Sequence, residues 1–478
     1  MKMTKMALLA GAAIAVTGAA AHADELQDLK AQMEVLNARV AAMETAPAVP
    51  AGYKLLTVSK GEALQVPGLD QSNQDRFSQG NRSTIISVMP TADAPAGTTI
   101  SWSGYVRAAI VYTGNDDSAE FQRSTRANTA GSWTKGTGTA NHEKFSNNTD
   151  DWDVKARGQL RVVATTDTAV GEVGVELKLR ADMNGNGSSD VYVKTAWGYW
   201  AMTPELTLGG GYSGSLGNIG YGYDGACSCY YTDNADVGFD PGDTTQMRLS
   251  YVSGPFSAAV AIEDASLQNG DGENDKVNSD NLGAAGEIKY SGDSFSGEIS
   301  GVYRAVNGED YDSANLGYNA DVDNLWQIGA GVGFNLGDIA SISLAAAMGE
   351  GPYQTVNDST GNIDNSFGVN NQWWGVSGLA TANLSDTVHA EAGAGYKHRE
   401  GDDFKTTGWN YDGFEYDTYA FLGGLYYTPV DQLTIGLEGE WFTQSWDFER
   451  TDLAGTTRDT LDVDRDNWTV DLVSVWRF

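Results

Sequence analysis

The chain has 478 residues, with 64 acidic and 30 basic side chains and a formal net charge of −34. This acidity argues against a nucleic-acid partner, because recognition of nucleic acid needs a basic surface. With 58 Gly, 22 Tyr and 13 Trp but only 10 Pro, the composition is typical of an aromatic-rich β protein. The length exceeds that of a minimal fold, yet one β-barrel can include most of it.

Residues 1–23 have the features of a secretory signal peptide. Lys2 and Lys5 precede an apolar stretch, and Ala21-His22-Ala23 is a small-x-small cleavage pattern. We therefore expect a mature chain of 455 residues that begins at Asp24 and has a formal charge of −36, since both lysines are removed. Further along the chain, no stretch approaches the roughly 18 consecutive apolar residues that a transmembrane helix needs.

Residues 24–45 carry apolar side chains at alternating spacings of three and four, over three heptads. The predicted core positions are Leu26, Leu29, Met33, Leu36, Val40 and Met43. This pattern predicts a coiled coil, and so short a helix needs partner helices, although these core residues specify neither a dimer nor a trimer. An amphipathic helix lying on a membrane surface is the alternative.

Residues 46–99 are the least informative part of the sequence. An Ala- and Pro-rich linker ends the helix, and the polar stretch 53–98 has only short apolar islands, LLTV and TIISV. A periplasmic tether and a plug inside a pore both remain open for this segment.

From Ile100 to Phe478 the apolar positions recur with a period of two, in sixteen segments. Short turns, such as Gly254-Pro255 and Gly337-Asp338, alternate with long polar connections, such as 114–152, 214–243, 306–324 and 447–466. An even strand number with one short-turn end and one long-loop end is typical of an outer-membrane barrel. The sequence therefore predicts an all-β protein, a 16-stranded antiparallel transmembrane β-barrel over 100–478 behind a short N-terminal periplasmic coiled-coil helix.

Several stretches resemble the trimeric 16-stranded porins of Gram-negative bacteria, and among them the alphaproteobacterial porin family. These stretches are TTISWSGYVRAAIVYT, RLSYVSGPFSAAVAIEDA, EIKYSGDSFSGEISGVY and the final VWRF. The heptads are similar to those of coiled-coil-bearing dicarboxylate porins. The final strand, which ends in Trp476 and Phe478, looks like the signal read by the outer-membrane assembly machinery.

The resemblance implies a homotrimer in the outer membrane, in contact with its lipids and lipopolysaccharide, with the coiled coil in the periplasm. It implies passive diffusion of small hydrophilic solutes through a water-filled pore, which the third long loop narrows by folding inward. A channel selective for dicarboxylates or phosphate is an alternative. A structural anchor that tethers the membrane to peptidoglycan is another, and the solute itself is not specified by the sequence.

Strand alternation predicts a basic wall on the lumen side of the early strands, facing an acidic third loop. The basic residues are Arg107, Lys155, Arg157, Arg161, Lys178, Arg180, Lys194 and Arg248, and the loop acids are Asp224, Asp233, Asp236, Asp240 and Asp243. Rings of Arg and Lys favour anions, which predicts a weak to moderate anion preference. The alternative is that these cations are solvated lumen residues without a role in selectivity.

The remaining signals concern cysteines, cations and catalysis. Cys227 and Cys229 are expected to form a structural disulfide, because the export route is oxidising. A zinc site is the alternative, but two thiolates without a nearby His are an incomplete ligand set.

Acidic and Asn-rich turns could hold Ca²⁺ at the outer loops, yet none has EF-hand spacing, so no cofactor or metal is predicted. No Ser and orienting group accompany His389 or His398, so an enzyme is not expected.

Overall fold

The computed structural model describes most of the barrel and parts of the preceding segment. The described ranges are 56–61, 64–69, 83–88, 97–137, 141–183, 189–235, 237–264, 267–268, 276–277, 282–305, 324–354, 368–405 and 408–478. The chain divides into two units, Met1–Leu55 and Leu56–Phe478. The predicted signal peptide, and the coiled coil with its six core positions, lie in the first unit, outside the described residues. Within the described ranges, no helix is long and apolar enough to cross a membrane.

Sixteen antiparallel strands, here β3 to β18, each pair with the next, and β18 pairs back with β3. They are Thr98–Thr125, His142–Thr168, Gly171–Met183, Ser189–Ala201, Leu206–Gly214, Asp243–Ser253, Phe256–Asp264, Leu282–Ser291, Phe295–Ala305, Asn324–Asn335, Ala340–Gln354, Gly368–Ser385, Val388–Gly401, Trp409–Val430, Leu433–Asp452 and Thr457–Arg477. The closing register runs from Tyr105 opposite Arg477 to Thr125 opposite Thr457. The predicted closed barrel of sixteen strands is confirmed.

The two faces of each strand meet different surroundings, as the period of two predicts. In β3, the side chains of Trp102, Val106 and Ile110 are exposed on the outer face, whereas Ser101, Ser103 and Arg107 are buried on the inner face. Successive side chains point to opposite sides of a sheet, so apolar residues cover the outside and polar residues line the inside.

Five neighbouring strands are longer than the others and extend the wall at the long-loop end: β16, β17, β18, β3 and β4. The β3–β4 ladder continues to Gln122 opposite His142, and the β17–β18 ladder continues to Thr451 opposite Arg458. The predictions of long loops over 114–152 and 447–466 were therefore wrong, because most of these residues belong to strands. Side chains from 143 to 152 are exposed on both faces, so the alternation that identifies a half-buried strand is lost.

A hairpin precedes the barrel and continues its sheet. Strands β1 (Leu56–Gly61) and β2 (Ser83–Val88) pair with each other, and β2 pairs with the first residues of β3, Thr98 to Trp102. Because β18 pairs with β3 only from Tyr105 onward, β2 lies beside the part of β3 that β18 leaves unpaired. The apolar islands LLTV and TIISV thus mark two short strands.

Candidate functional site

The lumen face of β3 to β8 carries most of the predicted basic residues, but most of them are covered. Five of the eight are buried: Arg107, Arg161, Lys178, Arg180 and Arg248. Arg161 pairs with Glu176 at 2.8 Å, and Lys178 lies 3.4 Å from the same carboxylate. Lys155 and Arg157 are partly exposed, and Arg157 pairs with Asp182.

Lys194 does not follow simple alternation. The β5–β6 register is interrupted by a β-bulge, in which Lys178 faces Thr195 and Leu179 faces Val193, so Lys194 has no partner residue in the ladder. Its side chain pairs with Asp243, the first residue of β8. A bulge re-aims a side chain in a way that a period of two cannot predict.

The third long connection, residues 215–242, contacts lumen-facing side chains from β9 to β17. It contains one short helix, α1 (Gly222–Ala226). Gly222 N donates to Ser343 Oγ at 2.9 Å, and Tyr223 N donates to Ser377 Oγ at 3.1 Å. On the way back, Lys397 Nζ donates to the Gly238 carbonyl at 2.9 Å. The segment therefore runs along the inner wall of the barrel and returns.

Five buried carboxylates of the wall accept hydrogen bonds from the backbone N–H groups of this loop. Glu263 accepts from Leu216 N, Glu298 from Gly220 N, Glu391 from Ser228 N, Glu438 from Tyr230 N and Tyr231 N, and Glu440 from Asn234 N and Ala235 N. Bonds to a charged acceptor are about twice as strong as neutral ones. The carboxylates thus hold the loop against the wall.

Apolar contacts reinforce these bonds. Tyr223, Cys227 and Val237 of the loop are buried in one cluster with Leu379 and Leu422 of the wall. On the returning part of the loop, the Phe239 ring stacks on that of Trp373, with centroids 6.1 Å apart. Burial of such side chains stabilises the loop in its position inside the barrel.

The predicted loop acids have different surroundings. Asp233 and Asp240 are exposed, and Asp243 pairs with Lys194. The cations Arg107, Arg157 and Arg180 interact electrostatically with the Asp233 carboxylate. Asp236 lies outside the described residues, as does the side chain of Asp224. Sequence analysis missed the acidic side chains of the opposite wall, although alternation places Glu391, Glu438 and Glu440 on its lumen face.

At the loop tip, the aromatic rings lie against basic groups. The Arg107 guanidinium lies 4.3 Å from the centroid of the Tyr231 ring, and Arg477 Nη2 donates to Tyr230 Oη at 3.2 Å. These contacts connect the tip to both strands of the barrel closure, β3 and β18.

Cys227 and Cys229 are joined by a disulfide, and both are buried. The ring spans a single intervening residue, so it removes little entropy from the unfolded chain. We expect the double variant Cys227→Ala, Cys229→Ala to lose less than about 2 kcal/mol of unfolding free energy in urea. A larger loss would show that the bridge, and not the surrounding contacts, holds the loop. Alkylation with and without reductant, followed by mass spectrometry, would verify the bridge in the wild type.

A second segment lies inside the barrel, Leu64 to Leu69. Val66 is buried in a cluster with Val163, Trp197 and Tyr199, which all point into the lumen. Leu69 N donates to the Val66 carbonyl at 3.2 Å, and Gly68 has a φ of 72°. These features are those of a type II turn, which favours Pro followed by Gly at its centre. The dipeptide Pro67-Gly68 was thus a readable signal that sequence analysis did not use.

No group of three or more His, Cys, Asp or Glu side chains is arranged to hold a metal ion within the described ranges. Two acidic or Asn-rich runs of the sequence, 184–187 and 271–275, lie outside those ranges, and the acidic residues Asp462, Asp464 and Asp466 are in β18. His398, on the outer face, pairs with Asp417 at 2.9 Å. His389, on the inner face, stacks on Tyr426 and lies 3.9 Å from Glu391.

Comparisons with known proteins find likeness in structure only. The chain matches no protein-family model, and no curated protein matches its sequence. Among solved structures, it is similar to the outer membrane channel DcaP of Acinetobacter baumannii, with 14% identity and a TM-score of 0.44 over 82% of this chain and 99% of that one. It is also similar to an anion-selective porin from Comamonas acidovorans, with 11% identity and a TM-score of 0.43 over 80% of this chain and 100% of that one. A third similar structure is OmpF of Salmonella typhi, with 12% identity and a TM-score of 0.46 over 80% of this chain and 98% of that one.

Proposed function

We propose that this protein is an outer-membrane porin, through which small hydrophilic solutes diffuse passively. The observation that carries the proposal is the closed barrel with apolar side chains outside and charged side chains inside. Only helices and closed barrels satisfy their backbone hydrogen bonds in lipid. A barrel of sixteen strands is wide enough for an aqueous channel.

The third loop, 215–242, narrows this channel. It leaves the strand ends, lies against the wall from β9 to β17 and holds Asp233 near the cations of β3 to β5. Charges of opposite sign on two sides of a narrow aqueous passage create a transverse field, which penalises apolar solutes because they must displace ordered water. The partly exposed Lys155 and Arg157 contribute to a weak to moderate preference for anions.

The proposal includes assembly and location. Three copies form a homotrimer in the outer membrane of a Gram-negative bacterium, surrounded by lipids and lipopolysaccharide, and each copy has its own pore. The predicted coiled coil at 24–45 joins the three chains in the periplasm, and Phe478 is read by the assembly machinery. No cofactor takes part in diffusion through a pore.

The experiment is a planar bilayer recording of the purified full-length protein under a salt gradient. We expect discrete open steps, closure in groups of three at high voltage, and a zero-current potential of the sign that indicates anion preference. An absence of conductance, with the barrel shown to be folded by its heat-dependent migration on a gel, would contradict the porin proposal. Cation preference would contradict only the selectivity proposal.

A further inference from the structure

The turn Leu64–Leu69 lies where it covers part of the basic wall. Arg161 Nη1 donates to the Leu64 carbonyl at 3.0 Å, and Arg248 Nη1 donates to the Gly68 carbonyl at 3.1 Å. Both arginines are buried. We propose that this turn is a resident plug of the pore, and that Arg161 and Arg248 form an anion-binding site that the plug covers. The inference rests on the proposed porin function.

The two carbonyl oxygens act as substitutes for an anion. Guanidinium groups prefer carboxylate and phosphate oxygens, which they bind with the same N–H donors that the carbonyls now occupy. The local charge favours an anion as well, because Arg161 and Lys178 share one carboxylate, Glu176. A small carboxylate or phosphate compound that reaches this patch therefore competes with the turn for Arg161 and Arg248.

The turn fits closely against its receptor surface. Val66, 3% exposed, lies among Val163, Trp197 and Tyr199, and Leu64 and Leu69 pack around the same cluster. A Cβ atom on Gly68 would lie 2.7 Å from Ser250 Oγ, and the positive φ of Gly68 adds strain for any other residue. A side chain at position 68 is thus expected to expel the turn from its position.

The plug lies at the short-turn end of the barrel. Its neighbours Ala201 and Ser250 are close in sequence to the short turns at 202–205 and 254–255. On this side of the barrel, the third loop lies nearer the opposite end, because it contacts Glu263 at the far end of β9. A solute that crosses the barrel therefore passes both the loop and the plug.

The first experiment displaces the plug. The double variant Val66→Asp, Gly68→Val removes the apolar anchor and introduces the clash with Ser250. We expect higher single-channel conductance than in the wild type and a zero-current potential shifted further toward anions. The matched control is Val58→Asp in β1, where the side chain is 70% exposed, and this variant should behave like the wild type. Wild-type conductance and potential in the displaced variant would overturn the proposal.

The role of the two arginines is tested in the displaced background. Adding Arg161→Gln and Arg248→Gln should cancel the gain in anion preference while the conductance stays high. In the displaced variant without these changes, inorganic phosphate should lower the chloride current by competing for the site, and it should not do so once the arginines are replaced. Unchanged anion preference after their replacement would overturn the assignment of the anion site.

Chemical labelling tests the plug without any current. In a Cys227→Ala, Cys229→Ala background, Ser250→Cys places a thiol under the turn. A charged methanethiosulfonate reagent should label Cys at this position about tenfold or more faster when the plug is displaced, because a covered site reacts only through local opening. Equal labelling rates would contradict the plug even if the barrel conducts. Slow labelling with the plug in place and fast labelling in the displaced variant would support the plug even if the protein does not conduct.

Discussion

Replacement of Glu440 by Leu is expected to release the tip of the third loop and to increase single-channel conductance. The buried Glu440 carboxylate accepts hydrogen bonds from Tyr223 Oη at 2.6 Å and from Ala235 N at 3.2 Å, and both donor residues are buried. A buried donor that loses its acceptor costs about 1–3 kcal/mol, so this change costs about 2–6 kcal/mol for the two. The open state should become larger and noisier as the loop leaves the wall.

The matched control for this prediction is Glu440→Gln. Both variants remove one negative charge from the lumen, so both should shift the zero-current potential toward anions. The Leu variant removes both acceptor oxygens, whereas the Gln carbonyl keeps the one that Tyr223 Oη and Ala235 N use, and only the bonds from Asn234 to the second oxygen are lost. A conductance that rises equally in both variants would show that charge, and not anchoring of the loop, sets the size of the open state. Heat-dependent migration on a gel would verify that each barrel is folded.

The same anchoring explains the arrangement of acids in the lumen. Sequence reasoning placed acidic groups on the loop and basic groups on the wall, whereas Glu438 and Glu440 on the wall bind the loop backbone. Backbone N–H groups of an irregular segment need acceptors when they are buried. A wall that presents carboxylates to them holds a loop whatever its side chains, so the loop sequence alone does not reveal its position.

The barrel itself was predictable because its environment is asymmetric. Lipid outside and water inside impose a period of two, and strands such as β9 (Phe256–Asp264) begin directly after a predicted turn, here Gly254-Pro255. Where water lies on both sides, as along 143–152, the pattern disappears and the strand was mistaken for a loop. The bulge at Lys194 and the turn at Leu64–Leu69 depend on tertiary contacts that no local period encodes.

The basic wall leads to the second large expected effect. In the double variant Arg107→Ala, Arg157→Ala, we expect the zero-current potential to move toward cation preference. Arg157 pairs with Asp182, so its removal leaves that carboxylate with the hydrogen bond from Tyr192 Oη but without this ion pair. In water a unit charge about 7 Å away changes the energy of a monovalent ion by about 0.6 kcal/mol, which is close to RT. The energies of anions and cations change in opposite directions, so each lost charge should change the anion-to-cation permeability ratio by about sevenfold.

The control variant Arg107→Lys, Arg157→Lys keeps both charges but loses the planar guanidinium groups. Arg107 lies under the Tyr231 ring at 4.3 Å, so either substitution at this position alters the packing of the loop tip. If selectivity depends on charge, the Lys variant should retain anion preference even where its conductance changes. If both double variants lose anion preference equally, the position of the loop tip controls selectivity, and the basic wall acts only by supporting it. The effect of charge should also weaken as the salt concentration rises, because the Debye length falls from about 10 Å at 0.1 M to about 3 Å at 1 M.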